Sequence, residues 1–190
     1  FIANHANGYV NTAGGAIYIS GTRFQAKDKE NNHNNTLFEE NNADASGRAI
    51  TASDTTVNVA NSVIFANKDP DGFAVFGYVN SQDPSTPSIT LNDNWWGTND
   101  DPSDFIGGTG KYKPTLERWA ILTAENDTPF VEGKTVKITV KLDKYTDGES
   151  NGTLAAPISI PRDVVIETKT HALTCISRSE ERFSRNAETD

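Results

Sequence analysis

Residues 38–59 read Phe38-Glu-Glu-Asn41-Asn-Ala43-Asp-Ala-Ser-Gly47-Arg48-Ala49-Ile50-Thr-Ala-Ser-Asp-Thr-Thr-Val57-Asn-Val59. Every block in this stretch has a counterpart elsewhere. Phe38-x-x-Asn41-x-Ala43 repeats Phe1-x-x-Asn4-x-Ala6 and is shortened to Phe65-x-Asn67. Gly47-Arg48-Ala49-Ile50 follows Gly14-Gly15-Ala16-Ile17 and precedes Gly72-Phe73-Ala74-Val75. Val57-x-Val59-x-Asn61 is echoed by Ile89-x-Leu91-x-Asp93, which leads into Asn94-Trp95-Trp96-Gly97. Units of fixed type and variable length, each too short to bury an apolar face alone, indicate a stacked architecture.

The remaining apolar residues also fall in short runs bounded by Asn, Asp, Gly, Ser or Pro, the residues of turns. No segment of a dozen residues carries helical spacing of apolar positions. The chain therefore reads as all-β, and the repeats favour a right-handed parallel β-helix of few coils. A glycine before Ala-Ile gives the chain a position without Cβ where it turns between faces. Asparagine suits the corners, where it tolerates left-handed backbone, and aligned asparagines on successive coils can bond to one another. The segments 28–35 and 82–87 become protruding loops. A plain antiparallel sandwich with chance similarities is the competing reading, because G-x-A-[IV] is weak in any single copy.

These repeats, closing on Asn94–Gly97 and followed by Asn99-Asp100-Asp101-Pro102, resemble the β-helical regions of archaeal adhesin-like surface proteins. They are also similar to the repeat of polymorphic outer-membrane proteins and to the pectate-lyase-like fold. The resemblance covers residues 1 to about 116, and its most specific element is Asn-Trp-Trp-Gly. It marks Phe1, Gly14, Gly15, Phe38, Asn41, Gly47, Phe65, Gly72, Asn94, Trp95, Trp96 and Gly97 as residues that build the repeat. It also implies an extracellular, surface-displayed, glycosylated protein.

Four regions follow: repeats over 1–97, a connector over 98–115, a third region over 116–177 and a tail over 178–190. In the third region Val136, Ile138, Val140 and Leu142 alternate with Thr and Lys, the pattern of a half-buried strand. Its order after the repeats resembles the immunoglobulin-like modules of adhesins, but it is too short for the seven strands of such a sandwich and reads as truncated. Residues 178–190 resemble a translated sequencing adapter, which marks a metagenomic fragment with a non-native tail. The chain of 190 residues has no methionine, so the expectation is a piece cut at both ends.

Composition excludes several functions. With 26 acidic residues against 17 basic the net charge is −9, which opposes nucleic-acid binding. No run reaches the ~18 apolar residues of a membrane helix, so membrane contact is expected only through regions outside this sequence. The lone Cys175 excludes an intrachain disulfide framework. No nucleophile elbow, phosphate loop, dinucleotide fingerprint or zinc signature occurs, and no cofactor is expected. His5, His33 and His171 lack metal-ligand spacing.

The candidate Ca²⁺ ligands are Asp69 and Asp71, in an Asp-Pro-Asp-Gly turn, with Asp100 and Asp101 after the last repeat. A turn explains the same residues without a metal. Asn34, Asn126 and Asn151 each open an N-x-[ST] glycosylation pattern in an expected loop. Trp95 and Trp96, adjacent on an extended segment, point to opposite faces, so at most one is buried. The expectation is a non-enzymatic binding and display role toward a cell-surface glycan or protein. A secreted polysaccharide lyase or depolymerase, and a structural stalk without ligand, are the alternatives.

Overall fold

The computed structural model describes residues 1–6, 14–20, 23–26, 36–44, 47–65, 67, 72–78, 88–109, 112–129, 136–159, 164–167 and 172–175. They form an all-β structure, with one 3-10 turn at Pro102–Phe105 and no α-helix among the described residues. Parallel pairing dominates up to residue 115, and antiparallel pairing follows.

The parallel strands form several small sheets. The largest contains β2 (Ile17–Ser20), β6 (Ile50–Ser53), β9 (Val75–Tyr78) and β11 (Ile106–Gly108), in that order. Ile17 lies beside Ile50, Ile50 beside Val75, and Val75 beside Ile106. A second sheet joins β3 (Arg23–Ala26), β7 (Thr56–Val59) and β10 (Ile89–Thr90), pairing Phe24 with Val57 and Val57 with Ile89. Thr90 bridges on to Thr115. A third pairs β4 (Leu37–Glu39) with β8 (Val63–Phe65), extended by bridges from Ile2 to Glu39 and from Val63 to Trp95. The short β1 (His5–Ala6) and β5 (Asn42–Ala43) also pair in parallel.

Two of the repeated blocks thus meet in the alignment that the sequence shows. The third is displaced by one residue. Phe38 pairs with Ile64, so Ile64 takes the buried position and Phe65 faces outward. The reason lies in the asparagine. Asn41 and Asn67 each stand three residues after Phe38 and Ile64, and their hydrogen bonds fix the register.

Corners follow a rule different from the one expected. Among the described residues, the left-handed ones other than glycine are Ala3, Glu40, Asp54, Asn61 and Asp93, of which one is asparagine. Asn4, Asn41 and Asn94 each sit directly after such a residue. Asn4 and Asn41 spend their amides on neighbouring repeats, and Asn94 bonds both across to Val59 and Ser62 and within its own segment to Leu91. Gly14 and Gly47 do carry positive φ, +78° and +67°, each at a point where a Cβ would strike the backbone three residues on.

Residues 98–115 carry few apolar side chains, yet they supply the 3-10 turn, β11 and the Thr115 bridge. The antiparallel sheet then begins, with β12 (Trp119–Asn126), β13 (Ile138–Thr146) and β14 (Asn151–Thr153). Val136, Ile138 and Leu142 are buried, in keeping with their alternation. β15 (Val164–Glu167) and β16 (Ala172–Cys175) form a separate antiparallel pair. Two apolar clusters lie among the described residues. One fills the space between the parallel sheets with Ile19, Ile50, Val57, Ile64, Val75, Leu91, Trp96 and Ile106, and takes in Trp119. The other joins Val63 to Ala120, Leu142, Leu154 and Ile158.

Candidate functional site at the junction of the two sheet systems

The segment Asn94–Gly97 ends one architecture and begins the next. Asn94 is completely buried, and its amide is fully engaged. Its Oδ1 accepts from the Ser62 backbone at 3.0 Å, and its Nδ2 donates to the carbonyls of Val59 at 2.7 Å and Leu91 at 2.8 Å. The two tryptophans separate as strand geometry requires. Trp96 turns inward, 2% exposed, and stacks on Phe105. Trp95 is half-buried and stacks on Phe65, at 5.9 Å between centroids. Gly97, at φ +83°, lies against the same Phe65 ring.

Past Gly97 the side chains act as backbone substitutes. Asn99 accepts from the Leu122 backbone N–H at 2.7 Å and donates to the Leu122 carbonyl at 2.9 Å. Leu122 is the residue skipped in the pairing of β12 with β13. Like the Ala120 N–H, which donates to the Asn94 carbonyl, its N–H faces away from β13, so the asparagine satisfies the outer edge of β12. Asn92 receives the Glu117 N–H in the same manner, at 2.8 Å. Arg118 forms a bidentate pair with Asp93, at 2.7 and 2.8 Å, and lies 4.5 Å from the Tyr145 ring centre. That pairing holds the guanidinium above its usual titration range. It links a corner of the parallel stack to β13.

Between these contacts lies a notch of about 580 Å³, lined by Asn99, Asp101, Ser103, Leu116, Glu117, Trp119, Thr146, Asp147 and Gly148. Trp119, 7% exposed, forms part of its floor, and its Nε1 donates to the Asn99 carbonyl at 3.0 Å. The two aspartates on its rim are committed to their own turns. Asp101 caps the 3-10 turn by accepting from the Ser103 backbone at 2.9 Å and from the Ser103 hydroxyl. These bonds hold its carboxyl below the usual range. Asp147 accepts from the backbone N–H groups of Ser150 and Glu149 and from the Ser150 hydroxyl, which hold it at about 2. Both are ionised at neutral pH, and the bonds within their own turns take up part of their accepting capacity. The notch offers hydrogen-bond acceptors around an aromatic base, without an acid and base poised across a shared reacting atom.

The candidate residues from the sequence are dispersed. Asp101 reaches the notch, whereas Asp100 is exposed and bonds to Thr98. Asp69, Asp71 and Asn34 lie outside the described residues, as do His33 and His171. Among the described residues no group of three or more His, Cys, Asp or Glu is arranged to hold a metal ion. Asn126, at the end of β12, and Asn151, at the start of β14, are exposed. Phe1 stacks on Phe38 at 5.1 Å, and Gly15 packs against the Asn42 and Arg48 carbonyls. Gly72 lies against the Arg48 side chain.

The sequence places Asn99 in the Asn-Asp-Asp-Pro segment after the last repeat but not its pairing with Leu122, and it does not mark Asn92, Glu117, Arg118 or Asp147. For Asp147 the signal was Asp-Gly at 147–148, a turn motif. Asparagines that pair with a backbone amide far along the chain leave no local pattern. Comparison with family models, with curated proteins and with solved structures gives no match.

Proposed function

We propose that this chain is a non-catalytic binding and display element of a cell-surface, adhesin-like protein. Its first part would be a short right-handed parallel β-helix and its second the beginning of an immunoglobulin-like module. The observation that carries this reading is the four-strand parallel register Ile17–Ile50–Val75–Ile106, whose first two steps join copies of one sequence unit. An architecture that grows by adding units extends a surface outward and repeats it, which suits display and multivalent contact. The ordered carboxylates support the same reading, since Asp93, Asp101 and Asp147 are each spent on holding the backbone or an arginine. Exposure of Asn126 and Asn151 suits a glycosylated extracellular surface, and the acidic balance directs the partner away from nucleic acid.

The test is to couple the chain to beads and to measure adherence to cells and to glycan-coated surfaces, beside incubation with soluble polysaccharides. Adherence with the polysaccharides left intact is expected. Release of new reducing ends or unsaturated uronates would replace the display role with that of a depolymerase.

A further inference from the structure

The outer face of the four-stranded parallel sheet is aromatic where it would ordinarily be polar. Inward positions alternate with outward ones, so Ile19, Ile50, Ala52 and Val75 enter the core. The outward positions carry Tyr18 on β2, Thr51 and Ser53 on β6, Phe76 and Tyr78 on β9, and Gly107 on β11. Thr51 and Ser53 are almost wholly covered, at 0% and 1% exposure, because the rings on either side lean over them. The Tyr18 and Tyr78 hydroxyls meet at 2.8 Å above β6. Tyr78 continues to Phe76 at 6.5 Å, and Phe76 to Phe73 at 5.8 Å. The Phe73 ring covers Gly107, where a side chain would displace it. The result is an unbroken shelf of rings across all four strands, and Tyr18 and Phe73 remain 50% and 37% exposed.

Size and chemistry select the occupant. Four strands about 4.8 Å apart and one two-residue repeat give a shelf of about 14 by 7 Å, on the order of 100 Å². A stable protein interface needs about 800 Å² per partner, so neither a second copy nor a folded partner is accounted for by this face. A small ligand is. Ring faces exposed beside paired hydroxyls match a sugar ring, which presents C–H groups on its face and hydroxyls on its edge. Burial pushes the Tyr78 phenol up, with the Tyr18 hydroxyl adding to the effect, and one hydroxyl of the pair donates to the other. Asp54 stands close enough to Tyr78 to act on it electrostatically, and the chain as a whole carries −9, which favours a neutral saccharide over a uronate. We propose that the shelf of Tyr18, Phe73, Phe76 and Tyr78 is a binding platform for a neutral oligosaccharide. It deepens the display role proposed above by naming the surface and ligand class, and it rests on that role.

The test uses the full chain and three neutral hexasaccharides: β-1,4-glucose, β-1,4-N-acetylglucosamine and α-1,4-glucose. Binding is followed through the aromatic NMR signals of the four residues. At least one hexamer is expected to shift them, Tyr18→Ala to weaken its binding about 3- to 10-fold, and Tyr78→Phe to weaken it less. Circular dichroism identical to the parent shows that the half-exposed Tyr18 has been removed without loss of fold. The proposal is overturned if no hexamer shifts these signals at millimolar concentration, or if Tyr18→Ala leaves binding unchanged. It is equally overturned if Tyr18→Ala abolishes a concentration-dependent dimer, which would make a second copy the occupant. The bead adherence assay separates the two readings. Adherence without saccharide binding removes the shelf alone, and loss of adherence by the parent chain removes the display role.

Discussion

Asn41 shows how one amide can set the register of a whole stack. It is 2% exposed, accepts from the Asn4 backbone and Nδ2 at 3.1 and 2.8 Å, and donates to Asn67 Oδ1 at 2.9 Å. Asn67 then donates to the carbonyls of Phe38 and Phe65 at 2.7 and 2.8 Å. Replacing Asn41 by leucine keeps the volume but strands several of these partners, at about 1–3 kcal/mol for each buried orphan. Asn41→Leu is therefore expected to lower stability by about 2–4 kcal/mol in urea unfolding, whereas Asn4→Leu, at an exposed position, should cost less than about 1 kcal/mol. Equal effects would show that the ladder is not what sets the register. Asp147 makes a second residue-scale case, in acid. Its carboxyl sits at about 2 in the fold against an ordinary 3.8, so the turn binds the ionised form. That contribution is complete above the unfolded value and is lost as pH falls from about 4 toward 2. The amide signals of Glu149 and Ser150 should report the loss in an NMR titration, and Asp147→Asn should remove the titration from both.

At the level of elements, β12 depends on a side chain twenty residues upstream. On the edge that faces away from β13, the Asn99 amide supplies both hydrogen bonds of Leu122. Asn99→Ala returns Leu122 N–H to solvent or leaves it unpaired, so its hydrogen exchange should accelerate at least tenfold while that of Ala120, bonded to the Asn94 carbonyl, changes little. Unchanged exchange at Leu122 would show that the edge of β12 is protected without Asn99. The same comparison shows what was readable beforehand. Gly-x-Ala-[Ile/Val] and Val-x-Val/Ile-x-Leu align in space as they do in sequence, because each copy keeps the same spacing from turn to core position. Phe65 misled by identity. The interior accepts either Phe38 or Ile64, so residue type said less than the distance to the asparagine. The asparagines of the junction were hidden for a related cause: Asn99 and Asn92 pair with backbone groups of Leu122 and Glu117, and a backbone group has no sequence signature.

At the scale of the whole molecule, the question is whether the parallel stack and the antiparallel sheet unfold separately. Polar contacts couple them weakly: Arg118 is 42% exposed, so its pair with Asp93 is open to screening by water and salt. The apolar contacts argue differently. Val63 from β8 lies in one cluster with Ala120, Leu142, Leu154 and Ile158, and Trp119 completes the cluster that holds Ile50 and Val75. Neither side can lose its neighbour without exposing buried hydrocarbon, which argues for one cooperative unit. Leu142→Ala decides the matter. Leu142 is 1% exposed on β13, and truncating it should cost about 2–5 kcal/mol through lost transfer energy and the cavity left behind. In a cooperative unit that loss reaches β8, and the amide exchange of Ile64, bonded to the Trp95 carbonyl at 2.8 Å, should accelerate together with that of Ala120, bonded to the Asn94 carbonyl. If Ala120 accelerates alone, the antiparallel sheet opens by itself and the clusters only touch. A shared response would make the junction a rigid joint, so that a ligand held on the parallel sheet transmits its load through Val63 and Leu142 into β12 and β13.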